Sequence, residues 1–149
     1  MAIDVTVETT IARPRAEVSA YASDPANDPV WIRNIREVEW ITAPPLAEGT
    51  KIARVAHFLG RRLAYTYLVE QHTPGECLAM RAVEGPFPMT TSYHWTDDGQ
   101  GGTSMAIRVG GGPGGFFGLA APLLVRQMRR ALRQDLALLK AILEGTEGV

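Results

Sequence analysis

The sequence predicts an α+β fold in which a curved antiparallel sheet packs against one long helix, and three observations predict it. Six strand-like segments between Ile35 and Val109 are joined by separators too short for helical crossovers, which makes neighbouring strands antiparallel. The C-terminal segment changes period: Leu124, Met128, Leu132, Leu136, Leu139 and Leu143 recur at spacings of four and three, the mark of an amphipathic helix. The 149 residues fit one domain, read here as residues 1–149. A chain of this length buries about 68–70% of its unfolded surface, enough for a core or for a shell around a cavity.

Each element has a local reason. Ile3, Val5, Val7 and Thr9 alternate with Asp4, Thr6, Glu8 and Thr10, the period of a half-buried strand. Pro14 suits a first helical turn and Glu17 sits just inside it, so Pro14–Ala22 reads as a short helix. Asp24-Pro25 and Asp28-Pro29 break it, and a second short helical piece carries Trp31 and Ile32. The later strands are Arg36–Ile41, Thr50–Leu59, Arg62–Gln71, Cys77–Val83, Met89–Thr96 and Thr103–Val109. Ala43-Pro44-Pro45, Gly60-Arg61, Thr73-Pro74-Gly75, Gly85-Pro86 and Asp97–Gly102 supply the turns between them. Pro122 marks the start of the long helix or a kink in it, and Gly145 suits its end.

Composition narrows function. Fifteen Lys and Arg against sixteen Asp and Glu give a formal net charge of −1, which argues against a nucleic-acid binder. One cysteine, Cys77, excludes an intrachain disulfide and a cysteine-based zinc site, and reads as an inert strand residue. No apolar run approaches a membrane span and the N-terminus lacks a signal pattern, so a soluble cytoplasmic domain is expected.

Alternation identifies an inward face. With Gly60-Arg61 as the turn, Phe58 faces Leu63, Ala56 faces Tyr65, Arg54 faces Tyr67 and Ile52 faces Val69, while Lys51, His57, Arg62, Thr66 and Glu70 face water. Arg54 is then a lone cation on an apolar face. It either snorkels to the rim, pairs with a structural carboxylate, or anchors a ligand carboxylate, phenolate or enolate. The same face carries Leu78, Met80 and Ala82, then Met89, Thr91, Tyr93 and Trp95, then Met105, Ile107 and Val109. Such a stripe reads first as core, although the tyrosine hydroxyls suit a ligand wall. On the long helix Asp135 falls in the apolar arc, where it pairs with Arg54, stands as a lone proton carrier, or reaches solvent at the edge.

Several stretches resemble the SRPBCC superfamily (START-like, or birch-pollen-allergen-like), in its polyketide cyclase/dehydrase and lipid-transport branch. They are Val7–Val18, Gly60–Val69 with Glu70, Gly85-Pro86-Phe87-Pro88, Gly102-Thr103 and the tail Arg129–Glu144. The resemblance implies a helix-grip fold: a seven-stranded curved antiparallel sheet wrapped around the C-terminal helix, two short helices between strands 1 and 2, and an elongated apolar cavity. It implies a hydrophobic or aromatic, polyketide-like small molecule or a lipid as partner, and no cofactor; a homodimer is left open. Fold alone does not settle the reaction.

Cyclase or dehydrase activity by acid–base chemistry is one expectation, with Arg54, Tyr67 and Asp135 as catalytic candidates. Trp31, Ala56, Phe58, Tyr65, Met80, Phe87, Tyr93, Trp95, Met105, Phe116 and Met128 are the ligand-binding candidates. The rival is a non-enzymatic lipid or quinone carrier, or a partner-binding module, using Phe116, Phe117 and the arginine-rich face of the long helix.

Other motifs fail on context. Gly110, Gly112 and Gly115 satisfy G-x-G-x-x-G, but no return strand follows, so the segment reads as a loop at the cavity mouth beside Trp31. His57, His72 and His94 lack metal-ligand spacing and are placed on outward faces. No metal is expected.

Overall fold

The computed structural model describes residues 3–86, 88–111 and 121–145. Strand β1 (Ile3–Ile11) leads into helix α1 (Arg15–Ser23), a 3-10 turn (Pro25–Asn27) and the short helix α2 (Asp28–Trp31). Strands β2 (Ile35–Trp40), β3 (Lys51–Phe58), β4 (Arg61–Thr73), β5 (Cys77–Glu84), β6 (Thr90–Asp97) and β7 (Thr103–Gly111) follow, and helix α3 (Ala121–Glu144) closes the order. The strands form one antiparallel sheet in the order β1-β7-β6-β5-β4-β3-β2. This is the helix-grip architecture. It places β1 and β2 on opposite edges and sends α1 and α2 across the gap between them.

Register shifts within β2 and at two places between β4 and β5 mark bulges, which bend strands and sharpen the sheet's twist. The C-terminal end of α3 is tied to the β1 edge. Lys140 Nζ donates to Thr10 O at 2.6 Å, and Glu144 Oε2 accepts from Ala12 N–H at 2.8 Å.

The β3–β4 hairpin corrects one expectation. Its turn is Leu59-Gly60, with φ of 50° and 77°, rather than Gly60-Arg61. A two-residue turn of this hand needs positive φ at both central positions, and glycine meets that demand best at the second. Arg54 therefore pairs across from Tyr65, not Tyr67, and Ala56 pairs across from Leu63. The pairing is offset by two residues, an even number, so every side chain keeps the face assigned to it.

The sheet's inner face divides along its length. Toward one end Leu78, Met80, Trp95 and Met105 pack on Leu136 and Leu139 of α3, with Ile11 and Val18 closing the cluster, all buried. Met80, Trp95 and Met105, expected in a ligand wall, belong to this solid core. They lie on the correct face but beyond the depth at which the interior opens.

Candidate functional site

Toward the other end the sheet and the N-terminal half of α3 stand apart around a cavity of about 160 Å³. Small side chains make the room: Ala56 on β3, Ala82 on β5, Thr91 on β6 and Ala131 on α3 occupy wall positions that larger residues fill in the core. Phe58, Tyr65, Tyr93 and Met128 line it as expected, and so does Trp31. Trp31 is fully buried, a residue of the inner wall rather than of an exposed rim, and it meets Tyr93 edge to face with centroids 5.8 Å apart. Phe87 and Phe116 lie outside the described residues, as does the expected mouth loop beyond Gly111. Ile32, Asn34 and Leu124 also line the cavity and were not singled out from sequence.

Arg54 points inward and is 5% exposed. It is not an isolated cation. Its Nη2 donates to Asp28 Oδ2 at 2.5 Å, and Asp28 is itself 1% exposed. Asp28 is the partner that the sequence does not reveal, where Asp28-Pro29 reads as a helix breaker. The guanidinium also lies 5.0 Å from the centroid of the Tyr67 ring, a cation–π distance. Arg54 Nε has no hydrogen-bond partner among the described residues, and neither has Trp31 Nε1.

The tyrosines form a polar fringe around this pair. Tyr65 and Tyr67 meet edge to face at 5.1 Å, and the Tyr67 and Thr91 hydroxyls share a 2.6 Å hydrogen bond. Gly85 lets the β5–β6 connection pass directly over Tyr65. A Cβ at residue 85 would sit 2.8 Å from Tyr65 Cβ, and the backbone there has φ of 144°. Burial pushes the Tyr65, Tyr67 and Tyr93 hydroxyls up from the usual phenol range, so they stay protonated donors.

Asp135 projects from α3 into the same cavity and is 3% exposed. Its Oδ1 accepts from Arg33 N–H at 3.2 Å, and the Arg54 ion pair among the described residues is with Asp28 instead. Burial pushes its carboxyl up to about 6, a shift the Arg33 amide only partly opposes. Burial likewise pushes Asp28 up to about 6 against the pull of Arg54. Burial of Arg54 works against its charge, the adjacent Asp28 carboxylate works for it, and the guanidinium stays a cation.

Residues 28–33 thus act as a strut. One end holds the β3 arginine through Asp28, the other holds the α3 aspartate through Arg33 N–H, and Trp31 lies between. Chemically the cavity offers an apolar slot, a guanidinium with a spare N–H, and a carboxylate poised near neutrality. No group of three or more His, Cys, Asp or Glu able to hold a metal occurs among the described residues. The three histidines stay off the cavity wall, and Cys77 is buried with its thiol pushed up by burial, hence unreactive.

Residues 2–144 match the profile of a family described as polyketide cyclase/dehydrase and lipid transport. The chain belongs to that family. Its place in the SRPBCC superfamily accords with the fold: a START superfamily protein of Mycobacterium smegmatis superposes with a TM-score of 0.79 at 12% identity, over 96% of this chain and 98% of that one. An aromatase/cyclase of Streptomyces sp. R1128 superposes with a TM-score of 0.79 at 17% identity, over 97% and 94%. A protein of Thermus thermophilus gives 0.80 at 17% identity, over 97% and 99%. Identities this low establish the shared fold alone. No curated protein matches the chain. The family's fold is a hydrophobic ligand-binding one, and no described helix is long and apolar enough to cross a membrane.

Proposed function

We propose that the protein binds a compact aromatic or polyketide-like molecule in this cavity and acts on it by acid–base chemistry of the cyclase or dehydrase kind. The observation that carries the proposal is that Arg54 and Asp135, both buried, are the two charged side chains among the described residues that line the cavity. A volume of about 160 Å³ falls below the roughly 300–1,000 Å³ of drug-sized pockets, which favours a small ring system.

In a dehydration, the Asp135 carboxylate removes a proton α to a carbonyl. The carbonyl oxygen rests against Arg54, whose Nε–H stabilises the enolate that forms. The enolate re-forms the carbonyl and a carbon–carbon double bond as the β-hydroxyl leaves. The proton on Asp135 goes to that hydroxyl, so water departs and the carboxylate is restored. Tyr65, Tyr67 and Tyr93 orient the ring system. A carboxyl that titrates near 6 suits both halves of that cycle at neutral pH.

Native mass spectrometry of protein purified from its own host tests the reading. A retained small-molecule adduct that is lost on denaturation is expected; an aliphatic lipid in its place favours a carrier. The carrier reading draws on the outer side of α3, where the exposed residues Leu123, Arg126, Arg130 and Arg133 form an apolar-tipped basic stripe. Salt-dependent association with anionic liposomes is its separate signature.

A further inference from the structure

Charge in the cavity is unevenly provided. Among the described lining residues Arg54 is the one cation, and Asp28 already holds it. Asp135 adds a second carboxylate that forms no ion pair with a buried cation among the described residues; the side chain of Arg33, the last residue of the strut, is exposed to water. One buried cation therefore faces two buried carboxylates. An incoming carboxylate would find its natural partner taken and a like charge on the same cavity wall, a juxtaposition that opposes binding.

The hydrogen-bonding groups point the other way. Arg54 Nε–H and Trp31 Nε1–H are donors without partners among the described residues, and both side chains line the cavity. Buried donors of this kind cost stability until an acceptor reaches them. Asp135, which takes a single hydrogen bond among the described residues, is an acceptor for a hydroxyl. The tyrosines are held as neutral phenols and contribute no further charge.

We infer that the polar groups lining the cavity select uncharged ligands presenting an acceptor and a donor together, such as a phenol or a hydroxy-ketone, and reject carboxylates of the same shape. This rests on the cavity-binding function proposed above and names its ligand class. Asp28 is on this account a specificity-determining residue: by neutralising Arg54 it turns a would-be anion site into a hydrogen-bond site.

The test compares 2-naphthol with 2-naphthoate, two probes of one ring system, titrated calorimetrically into the full chain at pH 7.5. Naphthol is expected to bind at least about tenfold more tightly. Asp28→Asn frees the Arg54 charge and should reverse the order. Asp135→Asn, which leaves the ion pair intact, should shrink the naphthol-to-naphthoate ratio by about tenfold even where Asp28→Asn does not fold. Naphthoate binding as tightly as naphthol in the unaltered protein, or an unchanged ratio in Asp135→Asn, overturns the charge argument and leaves cavity binding standing. Binding of neither probe removes the cavity-binding function itself.

Discussion

The two ends of the interior are built on the same strands and the same helix yet behave as different materials. β6 contributes Trp95 to one end and Tyr93 and Thr91 to the other; β7 contributes Met105, then Ile107 and Val109. Along α3 the change falls within one turn, between Asp135 in the cavity and Leu136 and Leu139 in the core. The solid end gains its stability from apolar burial and close packing. The hollow end buries apolar side chains too but forgoes close packing around its void, keeps a buried ion pair and a buried acid, and lines the gap with alanines. Burial of Asp28, Arg54 and Asp135 costs folding energy that the solid end offsets, as expected of a site organised for binding.

Matched substitutions sharpen that contrast. At the solid end Trp95→Ala should destabilise by about 3–5 kcal/mol in urea unfolding, because the cavity it leaves is bounded by fixed neighbours. At the hollow end, Arg54→Met or Asp28→Asn alone should cost a similar amount for another reason, an uncompensated buried charge, on the order of 3–5 kcal/mol. The double variant Arg54→Met/Asp28→Leu tells the mechanisms apart. It should recover to within about 1–2 kcal/mol of the unaltered protein, since an apolar pair removes the desolvation cost together with the attraction. Additive losses in the double variant would instead make the pair a packing element like Trp95.

Asp135→Asn should move stability in the opposite direction. The carboxyl titrates at about 6 in the folded protein against 3.8 when free, so between those values the folded state holds the extra proton. Stability from this group is fully present below pH 3.8 and is lost as pH rises through about 6. At pH 7.5 the ionised carboxylate therefore costs roughly 2–3 kcal/mol, which asparagine avoids while its side-chain oxygen still accepts from Arg33 N–H. Melting temperatures measured from pH 3.5 to 8 should show the variant ahead above pH 6 and level with the unaltered protein near pH 3.5. A variant that melts lower at pH 7.5 would mean that ionised Asp135 is stabilising where it sits.

What was legible in the sequence follows from the same division. Strand periodicity fixes which face a side chain takes, and that reading placed Arg54, Tyr65, Tyr67 and Tyr93 inward even though the hairpin turn lay one residue earlier than assigned. Periodicity says nothing of depth along the strand. Met80, Trp95 and Met105 share a stripe with Ala82, Tyr93 and Ile107, and only the opposing surface of α3 decides which of them meets a void. Asp28 was hidden differently. Its contact with Arg54 spans 26 positions, and the following proline gave it a sufficient local role as a breaker. The available signal was the arginine: a buried guanidinium needs a carboxylate, and the inward strand positions supply none.

The smallest effect on stability should come from filling the void. Ala131 on α3 lines the cavity, whereas Ala22 on α1 is 1% exposed within the solid cluster. Enlarging Ala22 to leucine has no space to use and should cost about 1–3 kcal/mol through displaced neighbours. Enlarging Ala131 to leucine places the added carbons in space already bounded by Leu132, Met128 and the tyrosines, so its cost should stay below about 1 kcal/mol, and a slight gain is in keeping with the buried area. Binding should respond in the reverse order. Ala131→Leu should weaken 2-naphthol at least about tenfold by occupying its volume, while Ala22→Leu, corrected for any loss of folded protein, should leave the dissociation constant unchanged. Equal destabilisation by the two substitutions would show that the cavity closes in solution, and the distinction between a solid and a hollow end would then fall.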